Sequence, residues 1–248
     1  MNGTRPATLR AVGLSRGYAG ERAVDGVDLQ VDAGQVHALV GLNGAGKTTL
    51  LRLLVGLLRP GDGRAEILGV PAWRAPVDVR SRVGHVGTGA AYGELTVRQN
   101  VVAAARLHGL PRAEADRRAR ACLDELALAD WADRPARVLS DGNRRRVALA
   151  AALVHAPDVL VLDEPTSTLD PRGVLELRRT LLERSAAGAA VLVSSHHLDE
   201  MARVADVITV LHRGRVVGTL DPGGVDLERQ FFTMVHDAED LRAAEAQR

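Results

Sequence analysis

The chain has 248 residues, 46% of them hydrophobic and 25% charged, with a formal net charge of +1. That length suits one large domain or two small ones with a real core. The near-neutral balance removes a general electrostatic pull toward nucleic acid, 2% aromatic residues argue against base stacking, and the single cysteine, Cys122, excludes an internal disulfide framework and fits a reducing compartment.

In chain order, residues 7–12 and 27–31 alternate apolar and polar side chains and predict short strands. Residues 36–40 form an apolar run that ends at Gly41, as expected of a buried strand. From Gly46 through Thr49 to Val55 the pattern predicts a helix that stops near Gly56, with Pro60 beyond. Residues 63–70 and 83–86 predict further strands. Thr96 is placed to cap a helix reaching about His108, Pro111 opens another over 112–128, and a third runs from near Ser140 to His155. Strands and helices then alternate: 159–162, 171–186, 191–194, 197–204 and 207–211, which implies a parallel sheet with crossover helices. A turn at Arg213 and Gly214, a strand over 216–219 and a polar tail complete the chain. The layout is one domain, with a core from 7–90 and 156–220, a helical insertion over 91–155 and a tail over 221–248. No apolar leader opens the chain, and the richest apolar stretch, Leu50 to Leu58, contains Arg52 and is too short to cross a bilayer. Any role at a membrane must therefore come through a partner.

The chain contains one lysine among 32 basic residues, Lys47. It stands in Gly41-Leu-Asn-Gly-Ala-Gly-Lys-Thr48, which fits G-x-x-x-x-G-K-[ST] at every fixed position, between a predicted strand and a predicted helix. Backbone N–H groups of such a loop cradle phosphate oxygens at the positive end of the helix. A compact ammonium fits beside a triphosphate in a tight glycine loop where a planar guanidinium does not. Lys47 is read as bridging the β- and γ-phosphates and Thr48 as a Mg²⁺ ligand, with Gly41, Asn43, Gly44, Gly46 and Thr49 completing the nucleotide site. The second element is Val159-Leu-Val-Leu-Asp-Glu-Pro165, an apolar strand ending in two carboxylates. Asp163 is read as holding Mg²⁺ through water and Glu164 as orienting or deprotonating the attacking water.

Leu139-Ser-Asp-Gly-Asn143, shortly before that strand, resembles the LSGGQ signature of ABC ATPases. Ser167-Thr-Leu-Asp170 resembles their D-loop, Ser194-Ser-His196 their switch histidine, and Tyr18 lies where their adenine-stacking aromatic does. The resemblance covers about residues 8–220. It implies an α/β fold: a P-loop NTPase core with a parallel sheet, an N-terminal antiparallel β subdomain and an inserted α-helical subdomain. It also implies head-to-tail pairing with a second ATP-binding subunit, identical or related. Ser140 and Gly142 of one partner would then touch the γ-phosphate held by the other, and His196 would sense that phosphate. Tyr18 has two readings, packing or adenine stacking. Transmembrane permease subunits are the implied further partners, with the chain cytoplasmic at the inner face of the membrane. The Asp141-Gly-Asn143 variant and a Leu227-Glu-x-x-Phe231 segment resemble exporter-type members. A non-transport ATPase acting on nucleic acid or ribosomes, or an ATP-binding module with weak turnover, is the alternative. Too few residues separate Lys47 from Ser140 for the coiled coil of DNA-repair members, and the near-neutral charge disfavours nucleic acid.

Two departures from the family pattern matter. Asp141 puts a carboxylate where a neighbour's γ-phosphate should dock, and the repulsion is relieved only if the side chain turns to solvent or pairs with arginine. The glutamine expected after strand 83–86 is missing, with Thr88 the nearest replacement; Gln99 is too far along.

Overall fold

The computed structural model describes residues 7–19, 21–87 and 91–246. Thr88 falls outside them, so the reading placed on it lies outside the described residues.

Two sheets carry the fold. The first is antiparallel and holds β1 (Ala7–Tyr18), β2 (Glu21–Asp32), β4 (Asp62–Ile67) and β5 (Val70–Pro71) in the order β2-β1-β4-β5. Its first two strands run well past the predicted ends, because the 7–12 and 27–31 patterns are the buried middles of a long bulged ladder. The second sheet is ordered β10-β9-β3-β8-β7-β6. It consists of β3 (Val36–Val40), β6 (Val83–Val86), β7 (Val159–Asp163), β8 (Ala190–Ser195), β9 (Val207–His212) and β10 (Arg215–Leu220). All its pairings are parallel except β9 with β10.

The central strands β3, β7 and β8 are buried along their whole length. Their alternate residues feed two cores: Val159, Val161 and Leu192 face the antiparallel sheet, while Leu160, Leu162 and Val193 face the helices. This two-sided burial explains why the strands read as unbroken apolar runs.

Helix α1 (Lys47–Leu54) sits between the sheets, with Leu50, Leu51, Leu53 and Leu54 fully buried. Each such leucine contributes about 1.5–3 kcal/mol, which anchors the loop ahead of it. The short α2 (Val77–Arg80) precedes β6. The helical layer comprises α3 (Val97–Leu107), α4 (Arg112–Glu125) and α5 (Asp141–Leu153), all packed in one core. Thr96 caps α3 in a capping box with Gln99, whose side chain accepts from the Thr96 N–H at 2.8 Å. Gln99 is thus occupied at a helix start. α4 ends three residues short of the prediction, where Ala127 turns left-handed at φ 53°. α6 (Pro171–Ala186) and α7 (Leu198–Ala202) complete the crossovers.

The polar tail is in fact a helix, α8 (Leu227–Ala246). Its Phe231 and Val235 are buried in the helical-side core and Met234 packs against that core. Apolar residues at i, i+4 and i+8 are spread thinly among charges, which hid the helical period.

Candidate active site

The site forms at the carboxyl ends of β3, β7 and β8, where open parallel sheets bind ligands. Gly46 turns the chain from the loop into α1 with φ 103°, a conformation L side chains avoid, and a Cβ there would lie 2.2 Å from the Ala23 carbonyl. The loop's backbone can therefore come down onto the helix start only with glycine at this position. A pocket lined by Ala23, residues 42–49 and Glu164 opens over it. Of the predicted nucleotide residues, Asn43, Gly44, Gly46, Lys47, Thr48 and Thr49 line this pocket; Gly41 lies beneath it, its carbonyl accepting from Lys47 Nζ at 2.6 Å.

Lys47 is buried, and its Nζ lies 3.1 Å from Glu164 Oε1. Glu164 Oε2 lies 2.9 Å from His196 Nδ1. A carboxylate can only accept, so Nδ1 carries the hydrogen of that bond. Lys47, Glu164 and His196 therefore form one connected chain. The next residue, His197, occupies the N-cap position of α7. The buried histidines His37 and His155 are pushed down to about 4 by burial and stay neutral at physiological pH.

Asp163 Oδ1 accepts from Ser194 Oγ at 2.7 Å, and the same hydroxyl accepts from the Glu164 N–H at 3.0 Å. Glu164 is left-handed, with φ 47°. For a residue that is not glycine this strain costs about 1–3 kcal/mol and persists only where neighbours hold it. Thr48 and Asp163 are hard oxygen donors, one hydroxyl and one carboxylate. Such a pair suits an ion like Mg²⁺, which takes its other ligands from phosphates and water.

Gly41, Asp163 and His196 reach this pocket only through bonds tied to Lys47 and Glu164, whereas Tyr18, Ser140 and Gly142 do not join it. Tyr18 ends β1 and is 46% exposed, with the Arg16 guanidinium 5.3 Å from its ring centre. Ser140 and Gly142 sit at the start of α5: Ser140 Oγ accepts from the Asn143 N–H, and a Cβ on Gly142 would lie 2.7 Å from the Thr168 carbonyl. The signature turn thus packs on the 167–170 loop of its own chain. Asp141 is turned to solvent and pairs with Arg144, which meets both conditions that relieve its repulsion. Asp141→Gly is therefore expected to change nucleotide-dependent self-association by no more than about threefold. A larger gain in a sedimentation assay with ATP would mean that the carboxylate does obstruct.

A glycine loop running into α1, with Asp163 at the end of β7 and Glu164 directly after it, defines a P-loop nucleoside triphosphatase. The model of the family described as ABC transporter matches residues 24–167. The daunorubicin/doxorubicin resistance ATP-binding protein DrrA of Streptomyces peucetius is 40% identical over 252 residues, covering 99% of this chain and 76% of that protein. The Nod factor export ATP-binding protein I of Ralstonia nicotianae is 37% identical over 218 residues, covering 86% of this chain and 67% of that protein. A solved ATP-binding subunit of an ABC transporter superimposes with a TM-score of 0.81 at 30% identity, covering 97% of this chain and all of that one. The chain belongs to the ABC transporter family and is its ATP-binding, ATP-hydrolysing component.

Proposed function

We propose that this ATPase drives export through separate transmembrane permease subunits, working at the inner, cytoplasmic face of the membrane. The carrying observation is the Lys47–Glu164–His196 chain, which sets a phosphate-binding ammonium beside a carboxylate able to handle water. In this reading the loop N–H groups and Lys47 bind the triphosphate. Thr48 and Asp163 would hold Mg²⁺, which would offset phosphate charge. Glu164 accepts the proton of the attacking water, and His196, tied to Glu164, contacts the γ-phosphate. Tyr18 stacks on adenine. Ser140 and Gly142 act on the nucleotide of a second ATP-binding subunit, identical or related, since they do not line their own chain's pocket. The export direction draws on the relatives named for drug resistance and Nod factor export and on the Asp141-Gly-Asn143 variant.

The permease side is assigned to a groove of about 460 Å³ beside β6. Leu57, Tyr92 and Leu107 line it and are 59%, 73% and 83% exposed. Clustered exposed apolar side chains of this kind mark protein contacts. Among the described residues no helix is long and apolar enough to cross a membrane.

The test is phosphate release by the purified chain with Mg·ATP, alone and with membrane vesicles from its source cells. Turnover in either arm is expected, and none in both would refute the ATPase reading. Leu107→Asp should leave basal turnover unchanged and weaken saturable binding to those vesicles by about tenfold or more. Equal vesicle binding by both proteins would remove the groove as the docking face.

A further inference from the structure

We propose that Arg145 is a positioning residue for hydrolysis, its guanidinium holding the Asp163–Glu164 peptide in the orientation that presents the Glu164 carboxylate. The proposal rests on the reading of Glu164 as the base.

Arg145 lies in the first turns of α5, within a run of three arginines. Arg144 pairs with Asp141, and Arg146 pairs with Asp170 and Glu176. Arg145 alone of the three turns toward the nucleotide site. Its Nη2 donates to the Asp163 carbonyl and its Nη1 to the Gly87 carbonyl at 2.7 Å. On the other side of the same peptide, the Glu164 N–H donates to Ser194 Oγ. A peptide unit is planar, so holding its oxygen and its N–H fixes the plane and the direction in which the Glu164 side chain leaves it. That residue is left-handed, a conformation that relaxes when its restraints are cut.

The guanidinium is not placed for ordinary ion pairing. Its Nε is sealed from solvent without a partner, and burial draws its pKa below the usual arginine value against the pull of Asp163 and Glu164. A cation held at that cost, with both its bonds on backbone carbonyls at the ends of β6 and β7, acts on backbone geometry. It also links the signature helix to the residue that handles water, so a shift of α5 changes the aim of Glu164.

Arg145→Met keeps the length and removes the donors; Arg145→Lys keeps one donor centre. ATP turnover and equilibrium nucleotide binding are measured on the full chain, alone and in the Glu164→Gln background. Arg145→Met should lower kcat by about 30-fold or more and leave ATP affinity within about threefold; Arg145→Lys should recover at least about fivefold of the loss. Because Arg145 acts through Glu164, Arg145→Met should cause no further loss in Glu164→Gln. Wild-type kcat in Arg145→Met, a loss seen mainly in affinity, or an equal further loss in the Glu164→Gln background would overturn the proposal. If Arg145→Met does not fold, Arg145→Gln carries the same comparison. Wild-type turnover in Glu164→Gln overturns the base reading and this proposal together, whereas wild-type turnover in the Arg145 variants alone overturns only this one.

Discussion

Glu164→Gln should lower kcat by about 10²–10⁴-fold, the usual contribution of a positioned general base, or about 3–5 kcal/mol of barrier. Binding should move the other way. Glu164 Oε1 lies 3.1 Å from Lys47 Nζ, so a phosphate in the loop competes with the carboxylate for one buried ammonium. A neutral amide competes less and removes a negative charge beside the triphosphate, so ATP should bind about 2–10-fold more tightly. Single-turnover hydrolysis together with equilibrium binding separates the two effects. Wild-type kcat would remove Glu164 from the chemistry. Weaker binding would mean that its contact with Lys47 organises the loop and does not compete with phosphate.

Lys47→Ala should weaken ATP binding by about 10–100-fold, the value of a charge-assisted hydrogen bond of about 1.5–3 kcal/mol. Calorimetric titration with ATP reads this directly, and unchanged affinity would sink the assignment. The informative companion is Lys47→Arg, because arginine supplies every other basic residue of this chain except histidine. The ammonium sits in a slot between the Gly41 carbonyl at 2.6 Å and Glu164, with 7% of the residue exposed. A planar five-donor fork does not enter that slot without displacing the loop. Retaining the charge should therefore recover little of the affinity, so the constraint at position 47 is shape as much as sign.

The central strands and the nucleotide loop were legible in the sequence because their signals are local. A strand buried on both faces must be apolar throughout, and a loop that wraps phosphate must carry glycine where a Cβ would strike Ala23. The positions of Asp163, Glu164 and His196 follow from strand ends the sequence marks: Asp163 closes β7, and Glu164 and His196 directly follow β7 and β8. What escaped were contacts between elements distant in sequence. Nothing in Arg144-Arg-Arg146 distinguishes the middle side chain, and its partners Gly87 and Asp163 offer only backbone carbonyls. The double role of Ser194, accepting from Glu164 and donating to Asp163, depends on the register of β7 against β8. α8 was missed because its buried face is one narrow line, and the extra length of β1 and β2 because bulges break their alternation.

The Ala23 carbonyl that excludes a side chain from Gly46 belongs to a wider set of ties. The Asp25 N–H donates to the Gly214 carbonyl at 2.9 Å, the Gly214 N–H to the Ala45 carbonyl at 2.8 Å, and Arg215 pairs with Asp25 at 2.7 Å. These bonds weld the antiparallel layer, the phosphate loop and the β9–β10 turn into one block. Such a block grips a triphosphate without a hinge of its own. In the proposed cycle, the stroke would then be a swing of the layer that carries the signature turn, pivoting against a stationary hand.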